Sequence, residues 1–123
     1  MQKEKGMFIM AIYGFWATSI DELAETLSQA LEIHLYRQLS PMIGPWHIDE
    51  DLCTVVKALK EGKEVQSSGK FELVLNDPEP GYTAPDFPGG GDCILRVRAG
   101  PDELVEIEEK LRKAGLQFKL LQD

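Results

Sequence analysis

Apolar positions along the chain keep two different rhythms, and the switches between them divide it into elements. Met7 to Phe15 is almost continuously apolar and rich in β-forming residues, which predicts a buried strand. Thr18 and Ser19 then offer a helix start, with Ser19 and Glu22 at capping-box spacing. Ile20, Leu23, Ala24, Leu27, Ala30 and Leu31 recur at helical spacing and make one apolar stripe. From Ile33 to Leu39 the rhythm changes to alternation. Ile33, Leu35 and Leu39 fall on one side of this second strand, and His34, Tyr36 and Gln38 on the other.

Pro41, Gly44 and Pro45 make Ser40 to Trp46 a loop in this reading. Asp49, Glu50 and Asp51 are placed in the first turn of a second helix, where negative charge is favoured. Leu52, Val55, Val56 and Leu59 supply its apolar face, and Gly62 its stop. The β-prone run Cys53 to Val56 leaves a strand open as the alternative for this segment. Alternation returns at Phe71, Leu73 and Leu75, a third strand that runs to Asn76. Asp77 to Asp92, rich in proline and glycine, is a long loop, and loops of this length within compact domains are usually functional or disordered. Cys93 to Val97 is the fourth strand, with Arg96 and Arg98 opposite Leu95 and Val97. Pro101 opens a third helix whose buried stripe is Leu104, Ile107, Leu111 and Ala114. Asp102 and Glu103 begin it, Lys110, Arg112 and Lys113 lie near its end, and Gly115 closes it. Leu116 to Leu121 is a last strand. The order β-α-β-α-β-β-α-β predicts an α+β domain, one sheet of about five strands with two or three helices packed on it. Residues 1–123 read as one domain, with residues 1–6 a frayed polar tail.

Charge narrows the function. Asp and Glu number 21 against 13 Lys and Arg, a net charge of −8, so a phosphate backbone or an anionic membrane would be repelled. A basic partner is favoured, although the same charge also serves solubility. No apolar run approaches the roughly 18 residues of a membrane span, and Met7 to Ala17 lacks the layout of a signal peptide. With Cys53 and Cys93 as the only cysteines, no disulfide framework is indicated. The expected location is the cytoplasm.

Catalytic motifs find no positive support. His47 with Asp49, Glu50 and Asp51 has the residue types of a metal site. Neighbours on one helical turn point apart, however, so a solvated helix start is the expectation. Gly89 to Gly91 leads into a strand between Asp86 and Asp92, which makes it a flexible loop end and not a phosphate cradle. Neither cysteine has a histidine or a basic cluster beside it, and both are expected in the core. No cofactor, metal or catalytic residue is assigned. The aromatics are the better lead: Tyr82 and Phe87 share a stiffened loop with Asp77, Glu79 and Asp86, while Trp46 stands just before Asp49, Glu50 and Asp51. Rings that anchor among charges that steer suit a protein-binding surface, and these nine residues form the expected partner site. For Trp46 and Phe87 the alternative is a ring folded back on the core to hold its loop.

The ordering of short motifs resembles the small immunity proteins of bacterial polymorphic toxin and contact-dependent growth-inhibition systems. The motifs are Tyr13-Gly14-Phe15 closing an apolar strand, then Ala30-Leu31-Glu32-Ile33 at a helix end, then Gly44-Pro45-Trp46. Leu73 to Asn76, Pro85 to Pro88 and Asp102-Glu103-Leu104 follow, and Asp49 to Gln66 stands as an insertion in the compact form. The resemblance implies a stoichiometric inhibitor of a cognate toxin domain, many such toxins being basic nucleases. A second resemblance, to the glyoxalase and bleomycin-resistance superfamily, rests on the opening β-α-β and on Pro101 to Gly115. It implies metal ligands on strand faces, for which Glu72 is the candidate here.

Overall fold

The computed structural model describes residues 9–40, 44–49, 52–63, 70–76 and 89–122. The architecture is α+β: β1 (Ile9–Phe15), α1 (Ile20–Leu31), β2 (Tyr36–Ser40), β3 (Gly44–Ile48), α2 (Leu52–Lys60), β4 (Phe71–Leu75), β5 (Cys93–Ala99), α3 (Pro101–Lys113) and β6 (Phe118–Gln122). The six strands form one open sheet in the order β2-β3-β4-β5-β1-β6, with every neighbouring pair antiparallel. The opening β-α-β is therefore no local unit, because β1 and β2 are separated by three other strands and α1 crosses the sheet between them.

Alternation sorts the strands into two faces. Ala11, Tyr13 and Phe15 of β1 pair with Val97, Leu95 and Cys93 of β5, and these pair in turn with Phe71, Leu73 and Leu75 of β4. That face is the main core. It is closed by Ile20, Leu23, Ala24, Leu27 and Leu31 of α1 and by Leu104, Ile107 and Leu111 of α3, all buried. Burying each such side chain contributes about 1.5–3 kcal/mol relative to exposure, so this layer dominates the stability. The opposite face holds a smaller buried cluster of Ile12, Val74 and Ile94, with Trp46 and Leu121 packed against it.

The helix ends follow the sequence with one exception. Ser19 Oγ accepts from the Asp21 and Glu22 amides at 3.2 and 3.3 Å, while Glu22 takes its carboxylate bond from the Thr18 hydroxyl. Gly62 and Gly115 close α2 and α3 as expected. The exit of α1 instead falls on Glu32, in the left-handed region at φ 57°. The Ile33 amide then returns to the Ser28 carbonyl at 3.0 Å, so the chain is still leaving the helix where a strand was expected. Consequently β2 begins at Tyr36 and not at Ile33, and Leu39, placed with the buried positions by alternation, is 71% exposed beyond the reach of α1.

Three other expectations are corrected. Gly44-Pro45-Trp46 is strand and not loop, which raises the strand number to six. A proline is excluded from the middle of a sheet because it lacks the ladder donor. Here β3 pairs with β4 only at His47 and Ile48, so Pro45 sits where one side of the strand has no partner in that ladder. Asp49 is not in the first turn of α2: its amide donates to the Phe71 carbonyl at 3.2 Å and its Oδ1 accepts from the Lys70 amide at 3.0 Å, extending the β3–β4 pairing. The face of α2 expected to be buried leaves Val56 and Leu59 exposed, since helical periodicity supplies a stripe but not a surface to cover it.

The end of the glycine run is packed and not a free loop end. Gly90 is buried against Gly14, where an added Cβ would lie 1.9 Å from the Gly90 carbonyl oxygen. Gly91, at φ +90°, passes so close to β1 that a Cβ there would lie 2.3 Å from the Phe15 carbonyl oxygen. The segment is tied down by the Asp92 amide to Phe15 (2.7 Å), the Ala17 amide to Asp92 Oδ2 (3.0 Å) and Asn76 Nδ2 to the Gly91 carbonyl (2.9 Å). Among the described residues no helix is long and apolar enough to cross a membrane.

Candidate functional site

Of the nine residues expected at a partner surface, Asp77, Glu79, Tyr82, Asp86, Phe87, Glu50 and Asp51 lie outside the described residues. The two that are described do not meet. Trp46 projects from the outer face of β3 and packs, half-buried, on the Ile12, Val74 and Ile94 cluster. Asp49 ends the same strand and holds the Lys70 amide. Trp46 thus takes the alternative left open for it, a ring folded back on the core. On this outer face Glu72 accepts from Arg96 at 2.7 Å, so the carboxylate singled out as a metal-ligand candidate is engaged by a cation. Arg98, next along β5, is exposed.

Charge on the helical face is unevenly neutralised. Lys110 pairs with Glu32, Arg112 with Glu108, and Lys70 with Glu103. Glu25 of α1 and Asp102, Glu106 and Glu109 of α3 are exposed with no ionic partner among the described residues. Lys113 at the far end of α3 is the cation left over in that layer. Because α1 and α3 cover the same face of the sheet, these carboxylates look out on one side of the molecule.

The same face holds a cluster that sequence reasoning passed over. His47 is buried in β3, not solvated at a helix start, because its register partner is Leu73 and both point beneath α1. Its Nε2 stands 2.9 Å from Asp21 Oδ1, and Arg37 Nε, beside it on β2, donates to the same oxygen at 3.1 Å. The His47 bond, with help from Arg37, holds the Asp21 carboxyl below the ordinary aspartate value, against the opposing effect of burial. An ionised Asp21 can only accept, so Nε2 carries the proton, and in the neutral ring Nδ1 keeps a lone pair. That Nδ1 is buried and has no hydrogen-bond partner among the described residues. A cleft of about 380 Å³ opens here between α1 and the approach to β2, its wall carrying the polar side chains of Asp21, Glu25, Ser28, Gln29, His34 and His47 beside the apolar Ala24 and Leu35. No sequence signal joined Asp21 to His47, since 26 positions and a crossing helix separate them.

Nucleophile chemistry is not set up elsewhere in the described residues. Cys93 is buried under the helical layer, and burial, with Asp92 beside it, pushes its thiol up to about 12. No group of three or more His, Cys, Asp or Glu among the described residues is placed to hold a metal ion. Compared with protein-family models, with curated proteins and with solved structures, the chain matches none.

Proposed function

We propose that this chain is a cytoplasmic protein-binding domain of the immunity type, which neutralises a basic toxin domain by stoichiometric contact and not by catalysis. The observation that supports it most is the sign and placement of charge. A net charge of −8 is joined to an outer helical surface on which Glu25, Asp102, Glu106 and Glu109 stand without cationic partners among the described residues. Such a surface attracts a basic protein and repels nucleic acid.

The contact energy would come from the aromatic residues of the acidic loop, Tyr82 and Phe87 with Asp77, Glu79 and Asp86, and from Trp46 next to Asp49, Glu50 and Asp51. Charges mainly speed encounter and select the partner, whereas desolvated rings slow departure. The thiol of Cys93, kept protonated by burial, is consistent with a role that needs no nucleophile. The test is rescue. The protein encoded immediately upstream of this chain is expressed alone and together with it. Growth arrest relieved by co-expression, with a one-to-one complex on purification, is the expected result. A harmless neighbour, or a toxic one that the folded chain neither binds nor relieves, would reject the proposal.

A further inference from the structure

We infer that the cleft between α1 and the approach to β2 is a recognition site for a guanidinium or primary ammonium group, with His47 Nδ1 as its innermost acceptor. Two independent observations meet there. The first is the buried Nδ1, which has no partner among the described residues although buried polar atoms are nearly always hydrogen-bonded. His47 is 5% exposed, forms part of the cleft wall, and has its other ring nitrogen fixed by Asp21. The second is the character of the wall near His47, where Asp21, Glu25 and Ser28 offer acceptors beside the apolar Ala24 and Leu35, while Gln29 and His34 can both donate and accept. Asp21 Oδ1 is occupied by His47 and Arg37, but Glu25 is exposed and has no cationic partner among the described residues. Ser28 has turned its proton to the Ala24 carbonyl at 2.7 Å, leaving only its lone pairs to offer.

A ligand that reaches Nδ1 must bring a donor, and the carboxylates favour one that brings positive charge as well. Guanidinium and ammonium groups answer both needs, since they donate and do not accept. An anion would face Asp21 and Glu25, and a neutral acceptor would leave Nδ1 unpaired. The volume, about 380 Å³, lies in the range of small-molecule sites and accommodates a short alkyl stem behind the cationic head. The group could arrive on a free small molecule or as the Arg or Lys side chain of a protein.

The experiment is a titration of ¹⁵N-labelled protein at about pH 8, following the histidine ring nitrogens by NMR. Methylguanidinium and butylammonium ions are the free probes. A glycine-flanked, end-capped peptide with one arginine is the side-chain probe, and methylurea is the neutral comparison. The expected result is a saturable shift of His47 Nδ1 with at least one cationic probe and none with methylurea. Saturation by the free ions marks a small-molecule source, and saturation by the peptide alone marks a side chain. His47→Gln, whose amide reaches the Nε2 position but lacks an Nδ1 equivalent, should weaken binding by about tenfold or more while the urea midpoint stays close to wild type. Glu25→Gln, on the exposed surface of α1, should weaken it roughly threefold with the fold untouched. No Nδ1 shift with any cationic probe, or equal binding of methylurea, would overturn the inference. So would cation binding that survives both substitutions.

Discussion

The His47 imidazole and the Asp21 carboxylate, 2.9 Å apart, join the buried face of β3 to the first turn of α1. Asp21 gains its depressed pKa from that bond first and from Arg37 second. A carboxyl depressed in the folded state stabilises the fold above its ordinary value of 3.8 and loses that contribution as pH falls through the lower folded value. The side chain is 53% exposed, so solvent limits the contribution to about 1 kcal/mol or less. Urea unfolding between pH 6 and pH 2 should therefore show a steeper acid loss for wild type than for Asp21→Asn. Parallel curves would mean the bond is not formed in solution. Asp21→Ala, which orphans Nε2 as well as Nδ1, should cost about 1–3 kcal/mol near neutral pH.

Backbone contact between β1 and the glycine run sets a harder limit. Gly14→Ala and Gly91→Ala each drive a methyl group into a main-chain carbonyl, not into a yielding side chain. Each should lower the unfolding free energy by on the order of 2–4 kcal/mol, measured by urea denaturation. Gly89→Ala is the control for the positive φ of Gly91, since Gly89 is at φ +76° with open space around it, and should cost less.

Glu32 offers a change in the opposite direction. It holds a left-handed conformation with a side chain, and its ion pair with Lys110 is long at 3.9 Å and exposed. Glu32→Gly should stabilise the protein by about 0.5–1 kcal/mol, read as a higher urea midpoint at unchanged slope. A lower midpoint would show that the Lys110 pair outweighs the backbone strain.

The buried thiol gives a kinetic prediction. In a Cys53→Ser background, Cys93 should react with a disulfide reagent at pH 8 only as fast as the protein opens, because its pKa near 12 and its burial leave almost no accessible thiolate. Addition of urea should accelerate the reaction steeply. Fast labelling of the folded protein would show that the α1–α3 layer does not cover β5 as described.

The elements legible in the sequence are those whose signals are local. Ser19, the Ile20 to Leu31 stripe, Pro101 and Gly115 locate α1 and α3 because caps and periodicity act over a few residues. What failed depended on neighbours distant in the chain. Pro45 reads as a breaker until β4 is known to pair only with His47 and Ile48. Leu39 reads as buried until α1 is seen to end short of it. Gly89 to Gly91 reads as a loose end until Gly14 is found against Gly90. The expected partner surface reduces, among the described residues, to Trp46 and Asp49. The cleft at His47 needed a crossing helix to bring Asp21 to it, which no motif at a fixed spacing can encode.

Association with a basic partner, followed by stopped flow against ionic strength, is the most direct measurement. The partner is the toxin domain found by the rescue experiment. Exposed charges are screened beyond about 10 Å at 0.1 M salt. The association rate should therefore fall about tenfold or more between 0.02 and 0.5 M salt, while dissociation changes little. Removing Asp77, Glu79 and Asp86 together should flatten that slope, and Tyr82→Ala or Phe87→Ala should speed dissociation, with a loss on the order of 2 kcal/mol. An association rate indifferent to salt, in a complex that forms equally well with the folded triple variant, would contradict charge-guided docking by this acidic domain.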